Sequence, residues 1–294
     1  MDIALLKAFL AVAATRSFSQ AAEQLFVTQP AISKRIAALE EELDARLFDR
    51  IGRRVELTDA GRTLLPRAKS ILLEVEDCVR AVSSLEGKVQ GNLRFATSHH
   101  IGLHRLPRAL KAFTRHYPLV QLDIRFMDSE AACHAVEQGE LELAIVTLPP
   151  DPSASLTTRI IWPDPLSVLA ARGHEMTRKR ITDIRELSRY PAILPATNTY
   201  TRQIAEKAFR IRGIRLDVTL STNYLETIKM LVSVGIGWSL LPVTMLDRQV
   251  SEIAVPELKL SRNLGVVIHR ERTLSNAAIA LMERLQHAAA KQPA

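Results

Sequence analysis

Apolar residues recur at helical spacing through the first third of the chain. Past a pair of glycines they fall instead into short runs of strand length. In "LLKAFLAVAAT", Leu5, Leu6, Phe9, Leu10 and Ala13 mark one face of an amphipathic helix. In "TQPAISKRIAALEEEL", Ile32, Ile36, Leu39 and Leu43 follow 4-3-4 spacing and predict a helix with one buried stripe. Thr28 is placed to cap it, and Pro30 is tolerated in a first turn, where its missing N–H has no helical partner. Between these two, "SFSQAAEQLF" predicts a short helix capped by Ser19.

A third helical pattern runs over 59–88. Leu64, Ala68, Ile71, Val75, Cys78, Val82 and Leu85 alternate spacings of four and three, the seam of a coiled coil, and Leu65, Leu72 and Val79 widen it. Such a helix is either buried within one domain or paired with a second chain. Its place between two regions and its broad stripe favour pairing. Pro66 should kink its start or divide it from a preceding turn.

At "EGKVQGN" two glycines mark a break, and strands then alternate with helices to the end. Strands are predicted at 93–97, 120–126, 143–146, 166–170, 192–194, 216–220, 238–241 and 264–268. Helices are predicted around 103–115, 130–138, 182–188, 200–212, 224–234 and 275–289, the last capped by Ser275. This alternation implies crossover units, parallel sheets and ligand crevices at strand ends. The chain therefore reads as a multidomain α/β protein: residues 1–58, a linker helix 59–88, and a sensor-like half 91–294.

Composition narrows the class. With 294 residues, 47% hydrophobic, the chain has the length and apolar content of two or three globular domains. The N-terminal run does not read as an export signal, because Asp2 sits where positive charge belongs and Lys7 interrupts it. The uncharged run 230–246 is broken by Gly235, Gly237 and Pro242, so it reads as helix, turn and strand rather than a membrane span. Cys78 and Cys133 form no disulfide framework, and a cytoplasmic location follows. Net charge is +7, yet residues 1–90 hold 13 Lys/Arg and 13 Asp/Glu, so the whole excess falls in 91–294. Any DNA binding by the N-terminal part must rest on local placement of charge.

That placement is found opposite the buried stripe of the second long helix. Pro30, Ser33, Lys34 and Ala37 are short side chains with one long cation, a surface that allows close approach. Helix, tight turn and helix form a helix-turn-helix, whose second helix fits a major groove. "LFDRIGRRVELT" follows, two β-prone pieces flanking cations: a wing, or else a solvated charged turn. The stretch "SFSQAAEQLFVTQPAISKRIAALEEELDARLFDRIGRRVELTDAGRTLLPRA" closely resembles the N-terminal module of LysR-type transcriptional regulators, without gaps through Thr63 and beyond. The resemblance implies a winged helix-turn-helix with its recognition helix from about Pro30 to Glu42. It implies that Gln29, Pro30, Ser33 and Lys34 face the groove, with Ser19 and Thr28 beside them. Arg35 and Arg50 would hold the DNA backbone, and Arg53 and Arg54 would sit on the wing. It further implies operator DNA as partner, a homodimer or homotetramer joined through 59–88, and RNA polymerase as a further partner.

The α/β half is similar in pattern to the effector-binding region of the same family, itself similar to type 2 periplasmic binding proteins. Two lobes joined by two crossing strands would result, lobe I about 91–162 and 266–294, lobe II about 163–265. Two segments suggest a pocket: Thr97, Ser98, His99 and His100 at one strand end, and Thr197, Asn198, Thr199, Tyr200 and Thr201 at another. Both begin helices, whose free N–H groups and hydroxyls would hold a small anion, and Thr147 belongs on the same rim. The plainer reading of each Ser or Thr is a helix cap. His100 and His104 share a helical face, but no Cys or carboxylate completes a metal set nearby in sequence, so no metal or cofactor is expected. No nucleophile elbow, P-loop, HExxH or dinucleotide fingerprint appears, which argues against an enzyme. The reading is a regulator sensing a small, anionic metabolite. A ligand-independent architectural protein or repressor is the alternative.

Overall fold

The structure, a computed structural model, describes residues 1–51, 54–84, 87–179, 181, 183–256 and 258–290. Of residues 50, 51, 54, 76, 77, 80, 81, 83 and 84 it describes the backbone alone. The chain divides into two compact units, one of Met1–Glu86 with Gln138–Glu140, the other of Gly87–Glu137 and Leu141–Ala294.

In the first unit, helices α1 (Ile3–Thr15), α2 (Phe18–Gln24) and α3 (Gln29–Glu42) precede a hairpin of β1 (Phe48–Ile51) and β2 (Arg54–Leu57), and α4 (Asp59–Ser84) follows. The periodicity explains the packing: Leu6, Phe9 and Val12 of α1 meet Ile32, Ile36 and Leu39 of α3, with Ala21, Phe48 and Ala68 closing the core. Leu43 does not join them. Helix α3 ends at Glu42, and Leu43 is its C-cap, 39% exposed. Caps also differ from expectation. Ser17, not Ser19, caps α2, accepting from Gln20 N at 3.3 Å, and Thr28 occupies the α3 N-cap without a side-chain cap bond. Glu40 ties α3 to the hairpin, its Oε1 accepting from Leu47 N at 2.7 Å. Helix α4 runs unbroken through Pro66, so the proline does not divide it. Gly61 lets its first turn lie against the backbone before the hairpin, since a Cβ there would overlap the Leu47 carbonyl.

In the second unit, parallel strands β3 (Gly91–Thr97), β4 (Val120–Phe126) and β5 (Leu143–Thr147) lie in the order β4-β3-β5. Helices α5 (His99–His104), α6 (Leu106–His116) and α7 (Ser129–Glu137) connect them. Every residue of β5 is buried because both faces are covered: Leu143 and Ile145 pack with α6 and with α11 (Asn276–Ala290), Ala144 and Val146 with α7. Ser275 caps α11, accepting from Ala278 N at 3.1 Å.

Two long antiparallel strands, β6 (Leu156–Ala171) and β11 (Leu260–His269), carry the sheet onward. Beyond them lie α8 (Glu175–Arg178), a 3-10 turn Ile184–Arg189, β7 (Ala192–Leu194), α9 (Tyr200–Arg210), β8 (Val218–Ser221), α10 (Leu225–Ser233), β9 (Ser239–Pro242) and β10 (Val250–Ile253). Strands β9 and β10 pair with β6, and β7 pairs parallel with β8. This second lobe also packs on both faces of β6. Val168 and Ala170 face Phe209 and Trp238, while Leu169 faces Ile228 and Val232.

Sequence pattern starts β6 at Leu166, ten residues late. Pro163 and Pro165 suggest a break there, yet they pair with Asn263 and Ser261 of β11. Strands β9 and β10 join β6 only from Leu166 onward, so the prolines lie where that edge has no partner strand and a missing N–H costs little. Strand β10 is a further element that the pattern did not predict. No described helix is long and apolar enough to cross a membrane.

Candidate functional sites: the α3 surface and the interlobe cleft

The outward face of α3 carries the residues that the sequence singles out. Thr28, Gln29, Pro30 and Lys34 are exposed, Ser33 and Arg35 half-buried. Gln29 Nε2 donates to Ser33 Oγ at 2.9 Å, so these two polar groups already share one position on the surface. Ser19 is exposed in the first turn of α2. Arg53 and the side chains of Arg50 and Arg54 lie outside the described residues, and so does the wing tip. On α4, Ile71, Cys78 and Val82 are exposed, Val82 to 69%, whereas Ala68 is buried in the core. Leu85 lies outside the described residues.

The second unit holds a cavity of about 280 Å³ at the ends of β3, β5 and β7. Six of the ten effector residues expected from sequence line it: Ser98, His99, His100, Thr147, Thr199 and Thr201. Thr97 lies beneath the wall, fully buried, its hydroxyl donating to Ile145 O at 2.8 Å. Thr197 and Asn198 are exposed, Tyr200 is half-buried, and none of the three lines the cavity. Ser98 sits at the α5 N-cap and makes no cap bond, which leaves its hydroxyl to the cavity. Thr199 is a structural cap as well as a lining residue, accepting from Arg202 N and donating to Ala196 O.

The helix start at Tyr200 is occupied from within. Its N–H donates to Glu130 Oε1 at 2.6 Å, a carboxylate that α7 brings from the first lobe. Burial raises the Glu130 carboxyl above its ordinary value, against the lowering effect of that hydrogen bond. Asp128 accepts from Asn223 Nδ2 at 2.7 Å, and Asn223 Oδ1 accepts from Ala196 N, a second tie between lobes. Deepest is Arg262 of β11. Its Nε donates to Asp164 Oδ2 at 2.9 Å and one Nη to Thr201 Oγ1 at 2.9 Å. Arg105 donates to the other oxygen of Asp164, which has no exposed surface. A buried carboxylate between two guanidiniums is stable only when hydrogen-bonded in this way, and here it fixes Arg262 at the cavity wall.

Asp128, Glu130, Asn223, Tyr224 and Arg262 all line the cavity, and sequence reasoning missed them. Two signals were available: an arginine inside the apolar run "LSRNLGVV", and an aspartate between two prolines in "WPDPL". The charge expected of the cleft also changes. Two carboxylates and one guanidinium line it, so the basic excess of this half does not reside there.

Beside the cavity, Glu226 supplies the carboxylate that sequence spacing did not reveal near the histidines. His100 Nδ1 and His104 Nε2 each lie 3.0 Å from Glu226 Oε1. Burial lowers the His100 imidazole, against the raising effect of its hydrogen bond to Glu226. Burial would raise Glu226, but hydrogen bonds from His100, its own backbone and His104 outweigh it and hold the carboxyl at about 2. Cys133 of α7, in the core that also holds Ala144 and Val146 of β5, has its thiol pushed up to about 11 by burial.

Comparison with known proteins places both units in one family. Residues 3–62 match the domain described as a bacterial regulatory helix-turn-helix protein of the lysR family, and residues 86–290 match the LysR substrate binding domain. The transcriptional regulator CbbR of Rhodospirillum rubrum is 32% identical over 96% of this chain and 94% of its own. A full-length OxyR variant from Pseudomonas aeruginosa superposes with a TM-score of 0.71 at 22% identity, covering 97% of this chain and 98% of that one. CbnR in complex with its target DNA superposes at 0.66 with 20% identity, covering 98% of this chain and all of that one. The two structural likenesses bear on fold alone.

Proposed function

This chain belongs to the LysR family of transcriptional regulators, and we propose that it reads operator DNA with the α3 surface under control of a small metabolite held between its lobes. It is a DNA-binding regulator with an effector-binding domain, not an enzyme. Family members bind operator DNA and oligomerise. For this chain, the exposed stripe of α4 supports pairing of two copies along that helix, in a dimer or tetramer, with two α3 helices addressing two half-sites. Gln29, Pro30, Ser33 and Lys34 meet base edges and groove walls, Arg35 the phosphates, with Ser19, Thr28, Arg50, Arg53 and Arg54 beside them. The protein works in the cytoplasm, activating or repressing according to operator placement and contact with RNA polymerase.

The observation that carries the sensor half is the cavity lined by Ser98, Thr201 and Arg262, together with Asp128 and Glu130. An effector suited to it has an anionic end for the first group and a hydrogen-bond donor for the second. Such a molecule displaces Glu130 from Tyr200 N–H and alters the ties between lobes, and a shift in lobe closure is what reaches the DNA. The test is a thermal-shift screen of full-length protein against small carboxylates, oxyanions and amino acids. A hit raises the melting temperature of wild type, since it binds the native state, and loses its effect in Ser98→Trp, which fills the cavity. If no member shifts the protein, or Ser98→Trp responds equally, the cleft is not the sensor and ligand-independent DNA binding becomes the better reading.

A further inference from the structure

Helix α5 sets His100 and His104 one turn apart on the same face, and the first turn of α10, from the other lobe, sets Glu226 against both. Two imidazole nitrogens thus converge on one carboxylate oxygen, each at 3.0 Å. A structural His–Glu–His hydrogen-bond set explains those two contacts but leaves others unmet. Among the described residues, His100 Nε2 and Glu226 Oε2 are buried and have no hydrogen-bond partner. Unsatisfied buried polar atoms are costly, and an ion held by this cluster would engage Glu226 Oε2, which the two hydrogen bonds leave unmet.

One ligand atom from each side chain falls within 4.8 Å of the others. Zinc bonds to imidazole nitrogen and carboxylate oxygen are about 2.0–2.2 Å long, which sets neighbouring ligand atoms roughly 3–3.5 Å apart. The two His–Glu separations of 3.0 Å meet that requirement before any side chain moves. His100 is buried and positioned by its surroundings, whereas His104 is 52% exposed, so an ion here keeps coordination positions open to water. Two imidazoles with one carboxylate suit zinc, nickel or copper, and do not suit magnesium or calcium, which take oxygen ligands.

We propose that His100, His104 and Glu226 form a site for a divalent transition metal of the zinc class, and that the bound ion fastens one lobe of the sensor unit to the other. His100 also lines the effector cavity, so the ion sits at the edge of that site. The proposal does not depend on the identity or existence of an organic effector, because the metal alone is the probe.

The experiment titrates full-length Cys78→Ser protein, which lacks the exposed thiol, with Zn2+ against a chromophoric chelator. Mg2+ serves as a control, and melting temperature is read in parallel. One zinc per chain is expected, with a rise in melting temperature that Mg2+ does not give. Removing a ligand costs at least the roughly tenfold in affinity that loss of an outer-shell partner costs at known metal sites. His104→Ala, on an exposed side chain, and the isosteric Glu226→Gln should each show that loss, while His116→Ala should not. Glu226→Gln should also lose the zinc-dependent rise in melting temperature, because the tie to the second lobe is gone. The proposal is overturned if the Cys78→Ser protein takes up no zinc, or if His104→Ala and Glu226→Gln in that background bind it as tightly as His116→Ala does.

Discussion

The α3 surface and the interlobe cleft use the same materials, short polar side chains at helix starts with a few charges, and organise them oppositely. On α3 the groups lie within Thr28–Arg35, one stretch of chain, mostly exposed and held by a single stripe of Ile32, Ile36 and Leu39. In the cleft they come from residues as far apart as Ser98 and Arg262, and their positions are set by buried ion pairs around Asp164. A surface that meets a polyanion needs shape and accessible charge, with little internal restraint. A pocket for a small molecule needs its donors and acceptors fixed before the ligand arrives. The two regions should therefore fail differently when altered.

The largest effect should come from Arg262→Ala. It leaves Asp164, without exposed surface, with Arg105 as its one remaining guanidinium partner among the described residues. Breaking a buried pair of this kind costs about 3–5 kcal/mol, to be measured by urea unfolding of the full chain. A change no larger than that of a surface substitution would remove the buried network from its organising role. Next is Val82→Asp on the exposed side of α4, which should drive the assembly toward monomer in sedimentation while the monomer stays folded. An unchanged oligomer would place the interface elsewhere.

On the DNA side, Arg35→Ala should weaken binding to all duplexes, reducing the slope of log affinity against log salt by about 1. Ser33→Arg, by contrast, should impair recognition of the operator in particular. Equal salt slopes for wild type and Arg35→Ala would take Arg35 off the phosphates. The smallest effect concerns Glu130. Its folded carboxyl is raised by burial, so the fold favours the protonated form. That contribution is present below the ordinary carboxyl range and is lost as pH rises through the folded value. Glu130→Gln should then melt slightly higher than wild type at pH 7, with the advantage disappearing in acid. An advantage that persisted at low pH would show that burial of charge is not its source.

The same contrast explains what could be read from the chain. The α3 stripe was legible because helical spacing is a local property, and it misled only at Leu43, where the helix stops. The start of α2 was placed two residues late, since Ser17 and Ser19 offer the same capping chemistry. Strand β6 was cut short by prolines that an unpaired strand edge tolerates. In the cleft, the hydroxyls at the ends of β3, β5 and β7 were visible as strand-end signals. Their charged partners were not: Glu130 lies 70 residues from Tyr200, Arg262 lies 98 from Asp164, and Glu226 lies 126 from His100. No local pattern brings such residues together, because topology alone decides which strand ends meet.

Effector control of DNA geometry is the claim on which the rest depends. The direct measurement selects a preferred duplex from a random pool with full-length protein. It then compares the footprint and DNA bend on that duplex with and without a saturating metabolite that shifts the melting temperature. The account predicts a sequence-specific footprint whose extent or bend changes on addition of the metabolite. It also predicts that Ser98→Trp keeps the footprint and loses the change. Identical footprint and bend in both conditions, or no preference for any duplex over random competitor, would contradict it.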